Sequence, residues 1–263
     1  MNSFVWCHGM GVWRLIPLEV HSAALNMAVD EVLLGSVSKG DSPNTVRFYR
    51  WRPSAVSIGY FQSLMDEVDL EMCRRLGVDV VRRITGGGAV YHDFDGEVTY
   101  SVIAREDSGI PRDIPESYKV ICNGIIKGLG RLGLKAEFKP VNDVVLNGRK
   151  VSGNAQTRRM GCILQHGTIL VDLDLKTMFQ VLKVGGAKIS DKALRSVEER
   201  VTSIRRELGR QVSLEEAYTA LREGFREALK AEFKSSRLNR GELEEAERLA
   251  ESKYGSPEWL GLR

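Results

Sequence analysis

Cysteine is scarce and scattered. Cys7, Cys73, Cys122 and Cys162 are the whole set, with no CxxC pair and no Cys/His cluster at zinc spacing. That excludes a small disulfide-framed domain and a structural zinc site, and it fits a reducing cytoplasm. Long apolar runs are missing too. No stretch approaches the ~18 residues that a membrane span needs, and residues 1–9 lack the basic start and apolar core of a secretion signal. No membrane association is expected. Charge of one sign is equally lacking: 38 Lys+Arg against 35 Asp+Glu leave a net +3. That is too little to drive nucleic-acid binding, though it leaves room for a local basic patch facing an acidic partner. No internal repeat, low-complexity segment or linker rich in Pro, Gly or Ser interrupts the 263 residues. The expectation is one domain over residues 1–263, with 1–12 as an N-terminal extension.

What is present reads as an ordinary globular chain, 43% hydrophobic and 28% charged. Ser22 stands as an N-cap before Leu25, Val29, Val32 and Leu33, which recur at helical spacing. Residues 13–17, 45–50, 55–61 and 162–171 read as strands, with Pro53 in a turn. Residues 66–76 and 117–132 read as helices, each stopped by a glycine. Asn147-Gly148 between 144–146 and 149–152 is a strong hairpin signal. Ser213 and Glu216 have the spacing of a capping box, and residues 239–253 form a further charged helix. Strands fill the first two-thirds and helices the last third, so the fold class is α+β or mixed α/β.

The densest chemistry lies in Arg82-Arg83-Ile84-Thr85-Gly86-Gly87-Gly88-Ala89-Val90-Tyr91-His92-Asp93. Three adjacent glycines suit a loop whose backbone approaches something closely or takes positive φ. Exposed N–H groups there can cradle an anion, and arginines beside it can bind a phosphate or carboxylate. A turn flanked by solvated arginines is the plain alternative. A second segment, Asn142-Asp143 through Lys150 to Gly153 and Ala155, fixes a lysine on a tight hairpin with open space nearby. A surface lysine beside a turn is its plain alternative. A third, Gln165-His166-Gly167-Thr168, puts a histidine inside an apolar strand, where it is a ligand or a satisfied core residue. His92 next to Asp93 suggests a base, but adjacent residues often point apart, so a positioning role is preferred.

The string RRxTGGGAVYHD resembles the signature of the lipoate–protein ligase A family, which is grouped with biotin–protein ligases and octanoyltransferases. The match runs in order from Asn26 to Trp259, with the Arg47–Trp51 segment, the NDxxxxGRKxxG segment around Lys150 and the HG pair at His166 all in place. The resemblance implies a biotin–lipoate ligase-like fold, with a large mixed, mostly antiparallel sheet, a smaller sheet and flanking helices. It implies activation of lipoate or octanoate by ATP as an acyl-adenylate, with Mg²⁺ beside the departing pyrophosphate. Lys150 would be the catalytic residue. Arg83, Gly86, Gly87, Gly88, Ala89, Val90 and Tyr91 would bind the nucleotide with it. Arg47, His92, Gly153, Ala155 and His166 would form the lipoate pocket, and Asp143 would be the metal ligand. Residues 188–203 resemble the family's mobile segment near the nucleotide. Acceptors would be lipoyl domains of 2-oxoacid dehydrogenases and the glycine-cleavage H protein. Because the family's small C-terminal domain is missing after Trp259, a separate small protein would supply it, as in archaeal two-protein ligases.

The rival expectation is a cysteine octanoyltransferase that takes its acyl group from acyl carrier protein without ATP. The string from Gly153 to Gly161 and on to Gly167 is close to one branch of that type. That branch's nucleophile precedes the Gly-Arg-Lys motif, where this chain runs Glu137-Phe-Lys-Pro-Val-Asn142 without a cysteine. Cys162 is expected in the core. A non-catalytic binding protein is a third expectation, disfavoured by the retained Arg83, glycine loop and Lys150.

Overall fold

The computed structural model describes residues 11–183 and 191–263. Among the described residues eleven strands form: β1 Gly11–His21, β2 Thr45–Trp51, β3 Ala55–Ile58, β4 Asp79–Arg82, β5 Val90–His92, β6 Glu97–Arg105, β7 Ala136–Lys139, β8 Asp143–Leu146, β9 Arg149–Arg159, β10 Cys162–Leu170 and β11 Ala231–Ser235. Eight of them make one sheet in the order β11-β1-β2-β6-β10-β9-β8-β7, and three make a second in the order β4-β3-β5. In the large sheet β1 runs parallel to β2 and β11, and the other pairs are antiparallel. The expected mixed, mostly antiparallel sheet with a smaller companion is therefore present.

Alternation along the strands sorts side chains to two faces of the large sheet. On one face, Val46, Phe48, Val98, Tyr100 and Ile163 pack with Ile121, Ile125, Leu221 and Phe225. Those last four belong to helices Ile114–Arg131 and Leu214–Ala228. The two helices touch through glycines: a Cβ on Gly224 would stand 2.3 Å from the Gly124 carbonyl oxygen. On the opposite face, Tyr49, Trp51, Ile103 and Leu164 pack with helix Ala23–Lys39 and with Ala246 and Tyr254. The small sheet has its own apolar cluster around Val56, Ile58, Val68 and Val181.

Several element boundaries differ from the sequence pattern for identifiable reasons. The expected helix at 66–76 is two, Leu64–Glu67 and Leu70–Leu76, because Val68 leaves the helical path to bridge Leu182. Gly77 is the left-handed C-cap, as its position suggested. Ser213 caps its helix, but the Glu216 carboxylate turns to Arg210 rather than back to the cap. The complete capping box is Asn239 with Glu242, and Glu242 also holds the buried Arg14 at 2.6 and 2.8 Å. The charged C-terminal helix closes in a π-helical turn over Ala250–Tyr254. Residues 1–10 and 184–190, including Cys7 and the start of the 188–203 segment, lie outside the described residues.

Arg82 ties the small sheet to the final turn of the chain. It is fully buried, and its guanidinium donates to the carbonyls of Gly59, Tyr60, Gln62, Trp259 and Leu260. The Trp259 indole N–H donates back to the Arg82 carbonyl at 2.8 Å.

Candidate active site

The β8–β9 hairpin carries Lys150. Asn147 and Gly148 both take positive φ, 50° and 78°, which is the geometry of a two-residue type I′ turn. Lys150 is then fixed on both sides. Its backbone N–H donates to the Arg200 carbonyl at 2.7 Å, and its carbonyl accepts from Thr202 N–H at 2.8 Å. Its ammonium lies 2.6 Å from Asp143 Oδ1, on the adjacent strand. Gly153 makes the room: a Cβ there would stand 2.6 Å from Lys150 Cε and 2.7 Å from Nζ. Gly167 serves Asn154 in the same way, at 2.0 Å from its Oδ1.

Lys150 opens onto a cleft enclosing about 160 Å³ between the large sheet and the small one. Met27, Tyr49 and Trp51 make an apolar wall, and Gly153, Asn154, Ala155, His166 and Gly167 line it from β9 and β10. Arg83, Gly87, Gly88, Ala89, Val90 and His92 close it from the glycine loop and β5, and Ser57 joins them from β3. The loop lies close on β3, where a Cβ on Gly59 would stand 2.1 Å from the Gly87 carbonyl oxygen. Gly86, Tyr91 and Asp143 are absent from the cleft lining, and Tyr91 packs against the small-sheet cluster instead. Arg47 is also absent. It is fully buried behind the wall, bonded to Asp30 Oδ1 at 3.0 Å and to Asn26. Arg47 shares a sheet face with Tyr49 but lies under its ring, drawn to the buried Asp30, so it backs the pocket wall instead of lining the cleft. Asp143 is paired with Lys150, and among the described residues no group of three His, Cys, Asp or Glu side chains converges to hold a metal.

Arg83 spends its donors within the protein. Nε donates to Thr85 Oγ1 at 3.1 Å, Nη1 to the Ser57 carbonyl and hydroxyl at 3.0 and 3.1 Å, and Nη2 to the Gly86 and Gly88 carbonyls at 2.8 Å each. Burial pushes the guanidinium down to about 10, and it shapes the loop from within. Two hydroxyl–imidazole–carboxylate chains run out from it. Ser57 Oγ is 2.8 Å from His92 Nε2, and His92 Nδ1 is 2.7 Å from Glu97 Oε1. Thr85 Oγ1 is 2.7 Å from His166 Nε2, and His166 Nδ1 is 3.0 Å from Asp30 Oδ2. Because Arg83 donates to both hydroxyl oxygens, each hydroxyl hydrogen is directed to the imidazole Nε2, and each Nδ1–H to its carboxylate. His92 also stacks on Trp51 with ring centroids 4.0 Å apart.

Burial pushes the Asp30 carboxyl up, but hydrogen bonds and charge from His166, Arg47 and Ser101 more than offset this and hold it below the usual carboxylate range. Burial pushes His166 below the ordinary imidazole value, against the pull of Asp30. Asp30, Ser57, Thr85 and Glu97 were not singled out by sequence reading. Asp93 was considered as the carboxylate for His92, but the bond goes to Glu97.

The described thiols are elsewhere. Cys73 lies in the small-sheet cluster, where burial pushes it up to about 11. Cys122 lies under the helix pair, where burial pushes it up to about 12. Cys162 shares a sheet face with His166, but four residues along an extended strand is about 13 Å, and it packs in the core beside Leu164.

With the geometry fixed, comparison with known proteins assigns the chain. The sequence profile of the lipoyl protein ligase A/B catalytic domain matches residues 22–226. The chain belongs to that family. Its curated relatives include Octanoyltransferase LipM of Kyrpidia tusciae, 42% identical over 95% of this chain and 98% of that protein. Octanoyltransferase LipM of Bacillus subtilis is 37% identical over 94% and 97%. Among solved structures, the bi-partite lipoate protein ligase of Thermoplasma acidophilum, studied with its E2 lipoyl domain, superposes with a TM-score of 0.86 at 35% identity over 96% of this chain and 98% of that one. A lipoate–protein ligase A bound with ATP gives 0.81 at 33% identity, covering 96% and 100%.

These relatives confirm the lipoate-ligase fold and an enzyme of the lipoate ligase and transferase family. They overturn the expectation of an ATP-dependent lipoate ligase, because the full-length curated relatives at 34–42% identity are octanoyltransferases. The glycine string and the Lys150 segment mark the shared catalytic domain and do not separate its two chemistries. The expected ATP and Mg²⁺ belonged to the overturned reading. Among the described residues no helix is long and apolar enough to cross a membrane.

Proposed function

We propose that the chain transfers an octanoyl group from a carrier-bound thioester to the lysine of a lipoyl acceptor domain. Support comes from the full-length similarity to octanoyltransferases together with one structural observation: Lys150, held by Asp143 and Gly153, is the ammonium that opens onto the cleft. Tyr49, Trp51 and Met27 offer the alkyl chain an apolar wall, and Lys150 stabilises negative charge developing on the acyl carbonyl oxygen. Gly87, Gly88, Ala89 and Val90 bring backbone to the same opening. The acceptor class follows the E2 lipoyl domain studied with the Thermoplasma relative, with the H protein as a second acceptor. The protein is a single catalytic domain in this reading, and it works in the cytoplasm.

The test supplies octanoyl-acyl carrier protein and a lipoyl domain, with no nucleotide. Expected is octanoylation of the domain lysine, read as a mass gain. Octanoylation that occurs only from free octanoate with ATP would overturn the reading.

A smaller change probes the same contact. Gly153→Ala puts a methyl where the Lys150 stem lies, and the stem, being flexible, moves rather than the backbone. Displacing a catalytic group by about 1 Å costs up to ~100-fold in rate. The expected result is a drop in kcat of that order with an unchanged circular dichroism spectrum.

A further inference from the structure

Lys150 can serve the acyl carbonyl only if the strand that carries it is held, and the large sheet holds it poorly at that point. Val145 pairs with Lys150 but Val144 pairs with Ser152, so Val151 is an extra residue and the strand bends there. On its other side the ladder with β10 stops at Ser152. Lys150 instead pairs in parallel with Val201, through the Arg200 carbonyl and the Thr202 N–H.

One carboxylate ties these pieces together. Glu207, in the short helix Ile204–Leu208, accepts from Asn147 Nδ2 at 2.7 Å, Arg149 Nη2 at 2.6 Å and Thr202 Oγ1 at 2.5 Å. Asn147 belongs to the hairpin turn, Arg149 precedes Lys150 on β9, and Thr202 belongs to the segment that borders it. The Glu207 side chain is only 4% exposed. Burial pushes its carboxyl up, but hydrogen bonds from Thr202 and Asn147 and the charge of Arg149 more than offset this and hold it below the usual range. It therefore meets its donors ionised. The helix beneath it is anchored. Ile204 is wholly buried in the main core, Arg205 N–H donates to the Val171 carbonyl at 3.0 Å, and Arg205 Nη1 donates to Asp172 Oδ2 at 2.7 Å.

We infer that, within the acyl-transfer reading on which this rests, Glu207 is a positioning residue that clamps the hairpin to the 200–202 segment and so aims Lys150 into the cleft. Successive residues of a strand point to opposite faces. Drawing Arg149 to Glu207 on one face turns Lys150 toward the opening on the other. Asp143 holds the tip of the lysine at 2.6 Å, and Glu207 holds its root. Glu207 does not line the cleft, so its influence on the reaction passes through the strand.

The experiment is a double-mutant cycle on transfer from octanoyl-acyl carrier protein to a lipoyl domain, with amide hydrogen exchange alongside. Glu207→Ala should lower kcat by about 10- to 100-fold, with little change in KM for the octanoyl carrier. In a Lys150→Ala background the same substitution should cost less than about 2-fold more. Glu207→Gln should keep most of the rate. Its oxygen can accept from Arg149 and Thr202, and the Asn147 amide can turn over to accept from its NH2. In Glu207→Ala the Lys150 and Thr202 amides should exchange faster, while those of helix Leu214–Ala228 stay as in wild type. An unchanged kcat in folded Glu207→Ala would overturn the inference. So would an equal loss in the Lys150→Ala background, which is what a merely structural carboxylate would give. If the alanine variant does not fold, Thr202→Val carries the test, because it removes one bond to the carboxylate and keeps the side-chain shape. Its kcat should fall by at least ~5-fold, and only where Lys150 is present. If wild-type protein transfers nothing, the acyl-transfer reading fails by itself. The exchange result then decides the clamp: faster exchange at both amides upholds it, and unchanged exchange overturns it.

Discussion

Lys150→Ala is expected to reduce octanoyl transfer by about 100- to 1000-fold, the range found when one preorganised donor is removed from an oxyanion site. The fall should appear in kcat, because the ammonium serves charge that exists only as the carbonyl carbon becomes tetrahedral. Stability should change little. The Lys150 side chain is 41% exposed and its partner Asp143 29%, and such partly solvated pairs contribute at most about 1 kcal/mol. Lys150→Arg should not restore the rate. The space over Gly153 fits a slim stem ending 2.7 Å from a virtual Cβ, and a planar guanidinium is wider. Single-turnover kinetics with thermal unfolding alongside would separate the effects. An unaltered kcat in the alanine variant would remove Lys150 from the chemistry.

The largest effect on stability is expected one layer deeper. Asp30 receives hydrogen bonds from Arg47 at 3.0 Å, Ser101 at 2.7 and 2.8 Å and Tyr49 at 3.3 Å, and faces His166 at 3.0 Å. Arg47 is wholly buried. Asp30→Ala therefore strands a cation without its counter-charge, which costs about 3–5 kcal/mol. A chemical denaturation midpoint would show the loss. The double variant Asp30→Ala with Arg47→Met should recover part of it, since the uncompensated charge is then gone. Equal or greater loss in the double variant would mean that packing, not charge, dominates. The same network sets an acid limit. The folded Asp30 carboxyl is held below its usual value, so its contribution is complete above the unfolded value of about 3.9 and fades as pH falls through the folded one.

Much of the cleft was readable from residue order alone, for a physical reason. The glycine loop, the Asn-Gly turn and the Lys150 segment are local devices whose geometry is written in consecutive residues. The structure brings Lys150, Gly153, Ala155, His92, His166 and most of the loop to one opening. Ser57 and Asp30 were hidden because their partners are remote in sequence, and Glu97 because it meets His92 only across the turn between two strands. Ser57 meets His92 across 35 positions, and His166 meets Asp30 across 136. The depth of Arg47 behind the wall was not readable, since a strand's pattern says which face a residue takes but not how deep that face lies. The break at Val68 was equally unreadable, because its cause, Leu182, lies in another part of the chain. The reaction was misread for a different reason. The motifs belong to a scaffold shared by ligases and transferases, and a scaffold does not specify its acyl donor.

Arg83 stands between the two imidazoles, bonded to the hydroxyl that each ring faces. Burial first, and then the fixed charge of Arg83, weaken the hold of His166 on a proton. The same arginine that folds the glycine loop therefore also biases the His166 ring toward its uncharged form.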